Sequence, residues 1–341
     1  MKIAVIGAGA VGSVVGGLLS KAGEDVTLIG RTPHVDAISQ RGLLLDGESG
    51  TTVIQVAASE SLDFHPDLVL LAVKTQDVEC SVREVRSYLS GVPLLTMQNG
   101  VRSDDLVAGI LGEEDLISSV VMFHSVFLEP GKVSFSNPTS RVDLLIGEPF
   151  GINANRLQRL SALLNRALRT HISEDIRGAH WAKLIWNLNN AVPAVTGLSI
   201  QENNRCPRIR ELNIGLIREG FEVIESAGIK TAPVPGVPLS LIKTMVKMPL
   251  LVSSFVVKSK TRSLGKTPVL TSTLQSIRRG RSTEIDYLNG EIVNLGKQND
   301  VPTPLNSLVV ELVHQVESTG EFLAVDELTR RLGLAFSVVK T

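Results

Sequence analysis

Cysteine and aromatic residues are scarce in this sequence, and each scarcity excludes a class of function. The 341 residues include only two cysteines, Cys80 and Cys206, which lie far apart and outside any CxxC or Cys/His cluster. This excludes a disulfide framework and a zinc-binding pattern, and it favours a reducing, cytoplasmic setting with no metal ion. Aromatic residues make up 4% of the chain, too few for the interleaved stacking platforms of a single-strand nucleic-acid binder.

An excess of charge is also missing, because 34 basic and 35 acidic residues give a net charge of −1. Bulk attraction to nucleic acid or to a membrane surface is therefore not expected. A group of basic residues late in the chain offers a polyanion site as an alternative: Lys258, Lys260, Arg262, Lys266, Arg278, Arg279 and Arg281. A solvated helix face and loop is the interpretation that we favour for this group.

Uninterrupted apolar runs are lacking as well. The run from Ile3 to Leu19 has the length of a signal peptide, but repeated glycines interrupt it, which a signal peptide does not require. The run Met245–Val257 contains Lys247 and Pro249 and is shorter than the roughly 20 residues that a membrane span needs. We expect a packed or interfacial helix there and no membrane-spanning segment.

A length of 341 residues predicts two domains, since single hydrophobic cores stop growing beyond roughly 250 residues. In the first half, short β-branched runs alternate with amphipathic stretches, which is typical of a parallel sheet covered by helices. The clearest strands are Lys2–Ile6, Asp25–Ile29, Leu68–Val73 and Pro93–Thr96. Further strands or hairpins are expected between Leu116 and Ile146, with breaks at Pro130-Gly131 and Asn137-Pro138.

Strand patterns end near His171, after an amphipathic helix predicted over Asn153–Leu168. We therefore predict an α/β domain over residues 1–172 and an all-helical domain over residues 173–341. The helices expected in the second domain are Asp175–Asn190, Arg208–Ala227, Pro238–Val257, Pro268–Arg278, Thr283–Asn299, Pro304–Ser318 and Val325–Leu332.

A glycine motif directly follows the first predicted strand and opens a helix. It reads Gly7-Ala8-Gly9-Ala10-Val11-Gly12. In this context the first glycine permits a tight turn, the second admits a pyrophosphate close to the backbone, and the third brings helix and strand together. The phosphates then lie at a helix N-terminus, whose free N–H groups favour negative charge. The first domain is therefore predicted to be a Rossmann-type dinucleotide-binding domain.

Arg31 ends the second predicted strand, about 20 residues beyond the glycines, where an NAD enzyme normally carries an acidic residue. The planar guanidinium suits a 2′-phosphate, which predicts NADPH/NADP as the cofactor rather than NADH. The simpler alternative is a surface arginine without a role.

Two other strand ends carry polar residues. Lys74 follows the strand at Leu68–Val73, and Gln98-Asn99-Gly100 follows the strand at Pro93–Thr96. Ligands of open α/β sheets bind at the carboxyl ends of the strands, so these positions are candidate contacts. Taken alone, a solvated strand end and a turn explain them equally well.

The predicted helix Asp175–Asn190 has two distinct sides. Trp181, Leu184, Ile185 and Leu188 make one apolar face, whereas the opposite side carries Lys183, Asn187 and Asn190 at helical spacing. Asparagine is a poor helix former, so its repetition on one side indicates a polar cleft. A plain solvated face remains the alternative on spacing alone.

These segments, in order, resemble the ketopantoate reductase family. The segments that carry the resemblance are GAGAVG at residues 7–12, Ala72-Val73-Lys74, Gln98-Asn99-Gly100, Trp181-Ala182-Lys183-Leu184 and the run from Arg281 to Gly290. They occur in the family's order over nearly the whole chain, and Thr283-Glu284-Ile285-Asp286 is the most specific part. The sequence departs from the family at Ser276, where aspartate is frequent, and in the longer segment Lys230–Thr267.

The resemblance implies NADPH-dependent reduction of 2-dehydropantoate to (R)-pantoate, a step toward pantothenate and coenzyme A. It implies Lys183 as the general acid and Glu284 as the carboxylate that closes the site against cofactor and substrate. It further implies that Asn99 lies beside the nicotinamide and substrate, that Asn187 and Ser272 bind substrate, and that Lys74 and Arg31 contact the cofactor. A helix capping box is the structural alternative for Thr283 to Asp286.

The chemistry agrees with these residue types. Hydride delivery to a carbonyl carbon builds negative charge on its oxygen, and an ammonium group within hydrogen-bond reach can stabilise that charge and supply a proton. Two alternatives stay open: reduction of another branched or aromatic 2-oxo acid, and a non-catalytic NADPH-binding regulator. The expected partner is a small 2-oxo acid, and a homodimer is the one assembly left open.

Overall fold

The structure is a computed structural model and describes residues 1–47, 50–136, 143–151, 153–265 and 267–338. The chain divides into two compact units, Met1–His180 and Trp181–Thr341. Along the chain, the division between the two units falls within one helix, Ile176–Asn187. No linker segment therefore separates them in the sequence. The predicted domain ranges, 1–172 and 173–341, therefore stay a prediction.

The described part of the first unit contains twelve strands. They are β1 (Lys2–Ile6), β2 (Asp25–Ile29), β3 (Leu43–Gly47), β4 (Gly50–Ile54), β5 (Ala57–Ser59), β6 (Leu68–Leu71), β7 (Leu94–Thr96), β8 (Leu116–Val121), β9 (His124–Glu129), β10 (Lys132–Ser136), β11 (Asp143–Gly147) and β12 (Arg169–Ile172). The main sheet has the order β12-β11-β8-β7-β6-β1-β2-β5. Its neighbours pair in parallel except β8 and β11, which are antiparallel. This confirms the predicted α/β class.

β1 lies at the point where the strand order reverses. The chain passes from β1 to β2 on one side and returns to β6 on the other, and both pairings are parallel. The carboxyl ends of β1 and β6 therefore flank a switch point, where open α/β sheets bind their ligands. The glycine motif follows β1 at this edge.

Both faces of the main sheet are covered. Ile3 and Val5 belong to one hydrophobic cluster, whereas Ala4 and Ile6 belong to another. Alternate residues of a strand point to opposite faces, so β1 is buried on both sides. The helices of this unit are α1 (Ala10–Lys21), α2 (Thr32–Arg41), α3 (Val78–Val85), α4 (Ser103–Leu111) and α5 (Ala154–Leu164).

A second sheet of four strands, in the order β4-β3-β10-β9, was not expected. It packs beside α1, where a Cβ atom on Gly17 would lie 2.8 Å from Leu43 Cδ2. Asp46 and Gly47 end β3 and pair with Thr51 and Gly50 of β4. The expected turn at Pro130-Gly131 is confirmed between β9 and β10, whereas Asn137-Pro138 lies outside the described residues.

The described residues of the second unit form helices joined by loops and no strand, as predicted. α6 (Ile176–Asn187) enters it and is followed by α7 (Ala191–Thr196), α8 (Ile200–Asn203), α9 (Pro207–Ser226), α10 (Leu239–Lys247), α11 (Leu250–Arg262), α12 (Ser272–Arg278), α13 (Asn289–Gln298), α14 (Pro304–Thr319) and α15 (Val325–Val338). α7 and α8 were missed because each is too short to show a helical repeat.

The single helix predicted over Pro238–Val257 is wrong. The chain forms α10 and α11 with a break at Met248-Pro249, because proline lacks the N–H that would continue the helix and restricts the residue before it. α11 buries Ser253 and Ser254, whereas Leu251 is 82% and Phe255 is 71% exposed. Among the described residues, the helices are all too short or too polar to cross a membrane.

Candidate active site

Gly7 lies in the turn between β1 and α1. This turn belongs to the nucleotide edge, the edge of the main sheet at the carboxyl ends of β1, β2, β6 and β7. The N–H groups of Gly7 and Ala8 donate to the Ile29 carbonyl oxygen at 3.0 and 2.8 Å. Gly7 has φ of +100°, and a Cβ atom there would lie 2.5 Å from the backbone nitrogen of Val73. Both the backbone conformation and the close approach of the chain after β6 therefore require glycine at this position.

Gly12 and Gly9 differ in what surrounds them. A Cβ atom on Gly12 would lie 2.3 Å from the Gly7 carbonyl oxygen, whereas one on Gly9 would meet nothing closer than that same oxygen at 4.0 Å. Packing therefore requires Gly12 but leaves open space above Gly9, the N-cap residue of α1. Ala10 and Val11 form the first turn of this helix, whose N–H groups suit a pyrophosphate. The residues present fit a dinucleotide.

Arg31 lies at the start of α2, one residue beyond Gly30. A Cβ atom on Gly30 would lie 2.8 Å from Ala8 Cβ, so this segment packs against the glycine turn. The Arg31 side chain is exposed, and the next residue, Thr32, donates a hydrogen bond from Oγ1 to Glu60 Oε2 at 2.8 Å. The sequence argument did not identify Glu60, because the acidic residue comes from the segment after β5.

Lys74 and Asn99 follow adjacent strands, β6 and β7. The Thr75 hydroxyl donates to the Asn99 carbonyl oxygen at 3.2 Å, which joins the two segments. The buried Gln98 side chain donates from Nε2 to the carbonyl oxygens of Leu71 and Val73 at 2.8 and 3.0 Å. Gln98 thus holds the strand end that precedes Lys74. The sequence motif includes Gln98, but its spacing did not predict this structural role.

α6 carries Lys183 and Asn187, and both side chains are half-buried. Burial lowers the pKa of Lys183 to about 8, because a partly dehydrated site disfavours the ammonium form. Leu184 and Ile185 are buried and Trp186 is 47% exposed, and the burial of Lys183 lies between these values. A lysine with this pKa is still mostly protonated at neutral pH and is a stronger acid than a free lysine.

α6 ends earlier than expected. A 3-10 turn over Leu188–Asn190 follows Asn187, so Asn190 does not continue the α-helical stripe of Lys183 and Asn187. The Asn190 carbonyl instead accepts a hydrogen bond from Thr271 Oγ1 at 3.1 Å. Thr271 caps α12, of which the exposed Ser272 is the first residue. Ser272 therefore lies near the end of the α6 segment.

Asn289 ties the end of α6 to the helices of the second unit. Its Nδ2 donates to the Leu188 carbonyl oxygen at 3.0 Å and to Asn306 Oδ1 at 2.9 Å. Asn306 in turn donates to the carboxylate of Glu219 at 2.7 Å. Burial raises the pKa of Glu219 against the opposing hydrogen bonds from Asn306 and Leu305. These buried residues were missed because their partners are distant in sequence.

The segment around Glu284 is not the first turn of an α-helix. A 3-10 turn over Ile285–Tyr287 precedes α13, which begins at Asn289. The predicted helix Thr283–Asn299 is therefore confirmed from Asn289 onward, whereas its predicted start at Thr283 and the capping-box alternative are wrong. Bonds to α14 hold the segment instead, because tertiary contacts outweigh the local pattern. The Thr283 N–H donates to Glu317 Oε1 at 2.5 Å, and His314 Nε2 lies 2.9 Å from Asp286 Oδ1.

Two family models match the chain. One is described as "Ketopantoate reductase PanE/ApbA" and matches residues 3–148, and the other as "Ketopantoate reductase PanE/ApbA C terminal" and matches residues 175–317. The chain is also 32% identical to the 2-dehydropantoate 2-reductase of Pyrococcus horikoshii, over 94% of this chain and 99% of that protein. The chain belongs to the ketopantoate reductase family.

Solved structures share the fold of this ketopantoate reductase family member. A crystal structure of a PanE/ApbA family ketopantoate reductase from Ralstonia eutropha is 31% identical and has a TM-score of 0.78, covering 93% of this chain and 99% of that one. A D-mandelate dehydrogenase structure with NADH and anilino(oxo)acetate has a TM-score of 0.80 at 23% identity, over 94% of this chain and 99% of that one. The second likeness shows the fold alone.

Membership of the ketopantoate reductase family identifies the protein as an oxidoreductase that binds a dinucleotide and acts on a small molecule. Its first unit brings Gly7, Gly30, the segment before Lys74 and the Asn99 backbone to one edge of the sheet. Its second unit contains Lys183, Asn187, Ser272 and Glu284. Among the described residues, His, Cys, Asp and Glu side chains form no group of three that could hold a metal ion.

Proposed function

We propose that this protein reduces 2-dehydropantoate to (R)-pantoate with NADPH, a step toward pantothenate and coenzyme A. The observation that carries the proposal is the lowered pKa of Lys183, about 8, in a chain 32% identical to a 2-dehydropantoate 2-reductase. An acid of this strength is suited to supplying a proton near neutral pH.

The nucleotide edge supports the cofactor part of the proposal. The N-terminus of α1 and the open space above Gly9 would accept the pyrophosphate. Arg31, at the start of α2, would pair with the 2′-phosphate. Lys74 would contribute a further positive charge to the cofactor site, and Asn99 would hold the nicotinamide end. When bound, NADPH supplies the hydride for C2 of the substrate.

The second unit supplies the proton and the substrate contacts. Lys183 donates a hydrogen bond from Nζ to the C2 carbonyl oxygen, stabilises the negative charge that develops there and transfers its proton to that oxygen. Asn187 and Ser272 orient the substrate with neutral donors, which do not remove the proton from Lys183. Glu284 closes the site against cofactor and substrate.

The test is the loss of absorbance at about 340 nm, the reduced-nicotinamide band, with purified protein and a panel of 2-oxo acids. The panel contains 2-dehydropantoate, a shorter branched 2-oxo acid and an aromatic 2-oxo acid. We expect the highest kcat/KM with 2-dehydropantoate and NADPH. A higher kcat/KM with a different acid would assign that branched or aromatic 2-oxo acid as the substrate instead of 2-dehydropantoate. The absence of turnover with every acid, together with tight NADPH binding, would support a non-catalytic regulator.

A further inference from the structure

A chain of buried polar side chains joins the main sheet to α6. Thr96 ends β7, Ser118 lies in β8, Asp104 lies in α4 and His180 lies in α6. Their exposed fractions are 0% for Thr96 and Ser118 and 5% for Asp104 and His180. Buried polar groups are costly unless each finds a partner, so the arrangement of donors and acceptors in this chain is constrained.

One arrangement of the protons gives each donor in this chain an acceptor. Thr96 Oγ1 lies 2.6 Å from Asp104 Oδ1, Ser118 Oγ lies 3.2 Å from Thr96 Oγ1, and His180 Nε2 lies 2.7 Å from Ser118 Oγ. A hydroxyl has one proton, and the Asp104 carboxylate can only accept. Thr96 therefore donates to Asp104. In the arrangement that also uses the Ser118 hydroxyl proton within the chain, Ser118 donates to Thr96 and accepts from the Nε2–H group of His180; in the other tautomer of His180, Ser118 donates to Nε2.

An ion pair between α6 and α4 lies beside this chain of hydrogen bonds. Arg177 donates from Nη1 to Asp105 Oδ1 at 2.9 Å and from Nη2 to Oδ2 at 3.3 Å. Asp104 and Asp105 are consecutive in α4, and Arg177 and His180 lie one turn apart on α6. The first two turns of α6 are thus held to α4 and the sheet at successive points, and Lys183 follows His180 by one further turn of the same helix.

We propose that His180, in its Nε2–H form, is a positioning residue for Lys183, acting through the chain from His180 through Ser118 and Thr96 to Asp104. The chain holds the imidazole and therefore the rotation of the helix turn that carries Lys183. This role rests on the proposed function of Lys183 as proton donor. A displacement of a catalytic group by about 1 Å can cost about a hundredfold in rate, so a small loss of order in this turn has a measurable effect.

β8 offers a matched pair of substitutions. Ser118 and Ser119 are both fully buried serines, and Ser119 donates to the Thr96 carbonyl oxygen at 2.7 Å without belonging to the chain. Ser118→Ala interrupts the chain, whereas Ser119→Ala removes a comparable buried hydrogen bond beside it. His180→Leu removes the donor at similar volume, and His180→Gln keeps an N–H donor that can reach Ser118.

The readouts are kcat at saturating substrate, the affinity for NADPH and the pH dependence of kcat. We expect Ser118→Ala and His180→Leu to lower kcat by at least about tenfold and to leave NADPH affinity within about twofold of wild type, since neither residue is placed at the nucleotide edge. The basic limb of the pH profile should move upward as Lys183 becomes better hydrated. His180→Gln should recover most of the rate, and Ser119→Ala should match wild type.

Equal kcat and equal pH profiles for Ser118→Ala and Ser119→Ala would overturn the positioning role. If Lys183→Ala loses turnover while Ser118→Ala does not, the proposed function stands and only the positioning role fails. If Lys183→Ala keeps full turnover, the proposed function fails and the positioning role with it. The ¹⁵N chemical shifts of the His180 ring give an activity-free check, since a dominant Nδ1–H form would also overturn the chain.

Discussion

The hydroxyl of Thr32 donates a 2.8 Å hydrogen bond to the carboxylate of Glu60. The residue next to Arg31 is therefore linked to an acidic side chain, at the end of β2 where a dinucleotide presents its adenosine ribose. A guanidinium favours a 2′-phosphate, whereas a carboxylate repels it. These two charges act in opposite directions on the choice between NADPH and NADH.

Arg31→Asp should weaken NADPH binding far more than NADH binding. A charge-assisted contact contributes about 1.5–3 kcal/mol, so we expect a loss of roughly tenfold to a hundredfold in NADPH affinity. Glu60→Gln is the matched control and should shift the preference further toward NADPH. Fluorescence titration with both cofactors checks this, and an equal loss for both in Arg31→Asp would remove Arg31 from the 2′-phosphate.

The glycines of the turn should separate folding from cofactor binding. Gly12→Ala places a Cβ atom 2.3 Å from the Gly7 carbonyl oxygen and should destabilise the first unit, whereas Gly9→Ala meets nothing closer than 4.0 Å. We therefore expect Gly9→Ala to keep the wild-type Tm and to lose dinucleotide affinity, because its methyl group occupies the space for the pyrophosphate. Thermal unfolding and cofactor titration test the pair. Unchanged cofactor affinity in Gly9→Ala would contradict the phosphate site.

Lys183→Ala should keep the fold and NADPH affinity but lose turnover. Removal of a positioned general acid costs about 10²–10⁴ in rate, and Lys183→Arg should also be poor because guanidinium is a far weaker acid. In the wild type, kcat should fall as the pH rises through about 8, where the Lys183 ammonium loses its proton. A Lys183→Ala variant within about threefold of wild type would exclude the residue, since that is roughly 0.65 kcal/mol.

His34 should make the protein less stable in mild acid. Burial lowers the pKa of His34 to about 4, and its Nδ1 accepts a 2.8 Å hydrogen bond from the Gly131 N–H, which requires an unprotonated nitrogen. The unfolded chain binds this proton near pH 6.5, so stability falls as the pH drops from about 6.5 to about 4, by up to roughly 3 kcal/mol.

Urea unfolding at pH 7 and pH 4.5 measures this loss. His34→Gln is the control, because it lacks the titrating group while the carboxylates that also titrate in this range are unchanged. The pH-dependent loss should be smaller in His34→Gln than in the wild type. The same loss in both proteins would show that His34 is not its source.

His314 should stabilise the segment that carries Glu284 at low pH and lose this effect as the pH rises, which is opposite to the effect of His34. Partial burial disfavours the charged imidazole, but hydrogen bonds and charges from Asp286 and Glu317 outweigh it and raise the pKa of His314. Its stabilising contribution is therefore full below the unfolded pKa of about 6.5 and is lost as the pH rises through the higher folded value. The difference in Tm between wild type and His314→Gln should shrink from pH 6 to pH 9. A difference that is constant across this range would exclude the ion pairs.

Local patterns accounted for much of the first unit. β1, the glycine turn, α1 and β2 are adjacent in the chain, and each is specified by its own residues: β-branched runs, positive-φ glycine and a helix without interruption. The same reasoning failed at Pro238–Val257 and Thr283–Asn299, where Pro249 and the bonds from α14 divide what periodicity alone reads as one helix. The β3–β4 hairpin was missed, and Asp46-Gly47 does not mark its turn, because both residues belong to β3.

The sequence by itself determined the α/β class and the dinucleotide turn, because these depend on local spacing and on a contiguous motif. It also offered Arg31, Lys74, Asn99, Lys183 and Asn187 as candidates from strand ends and helical spacing, whereas Ser272 and Glu284 are candidates that only the family resemblance implies. Only the tertiary structure showed which hydrogen bonds hold the segments that carry these candidates. Glu60 reaches Thr32, Gln98 holds the end of β6, Asn289 holds the end of α6, and His180 reaches Ser118. Each of these bonds joins residues at least 25 positions apart, and no local pattern encodes which distant donor meets which acceptor once the chain is packed.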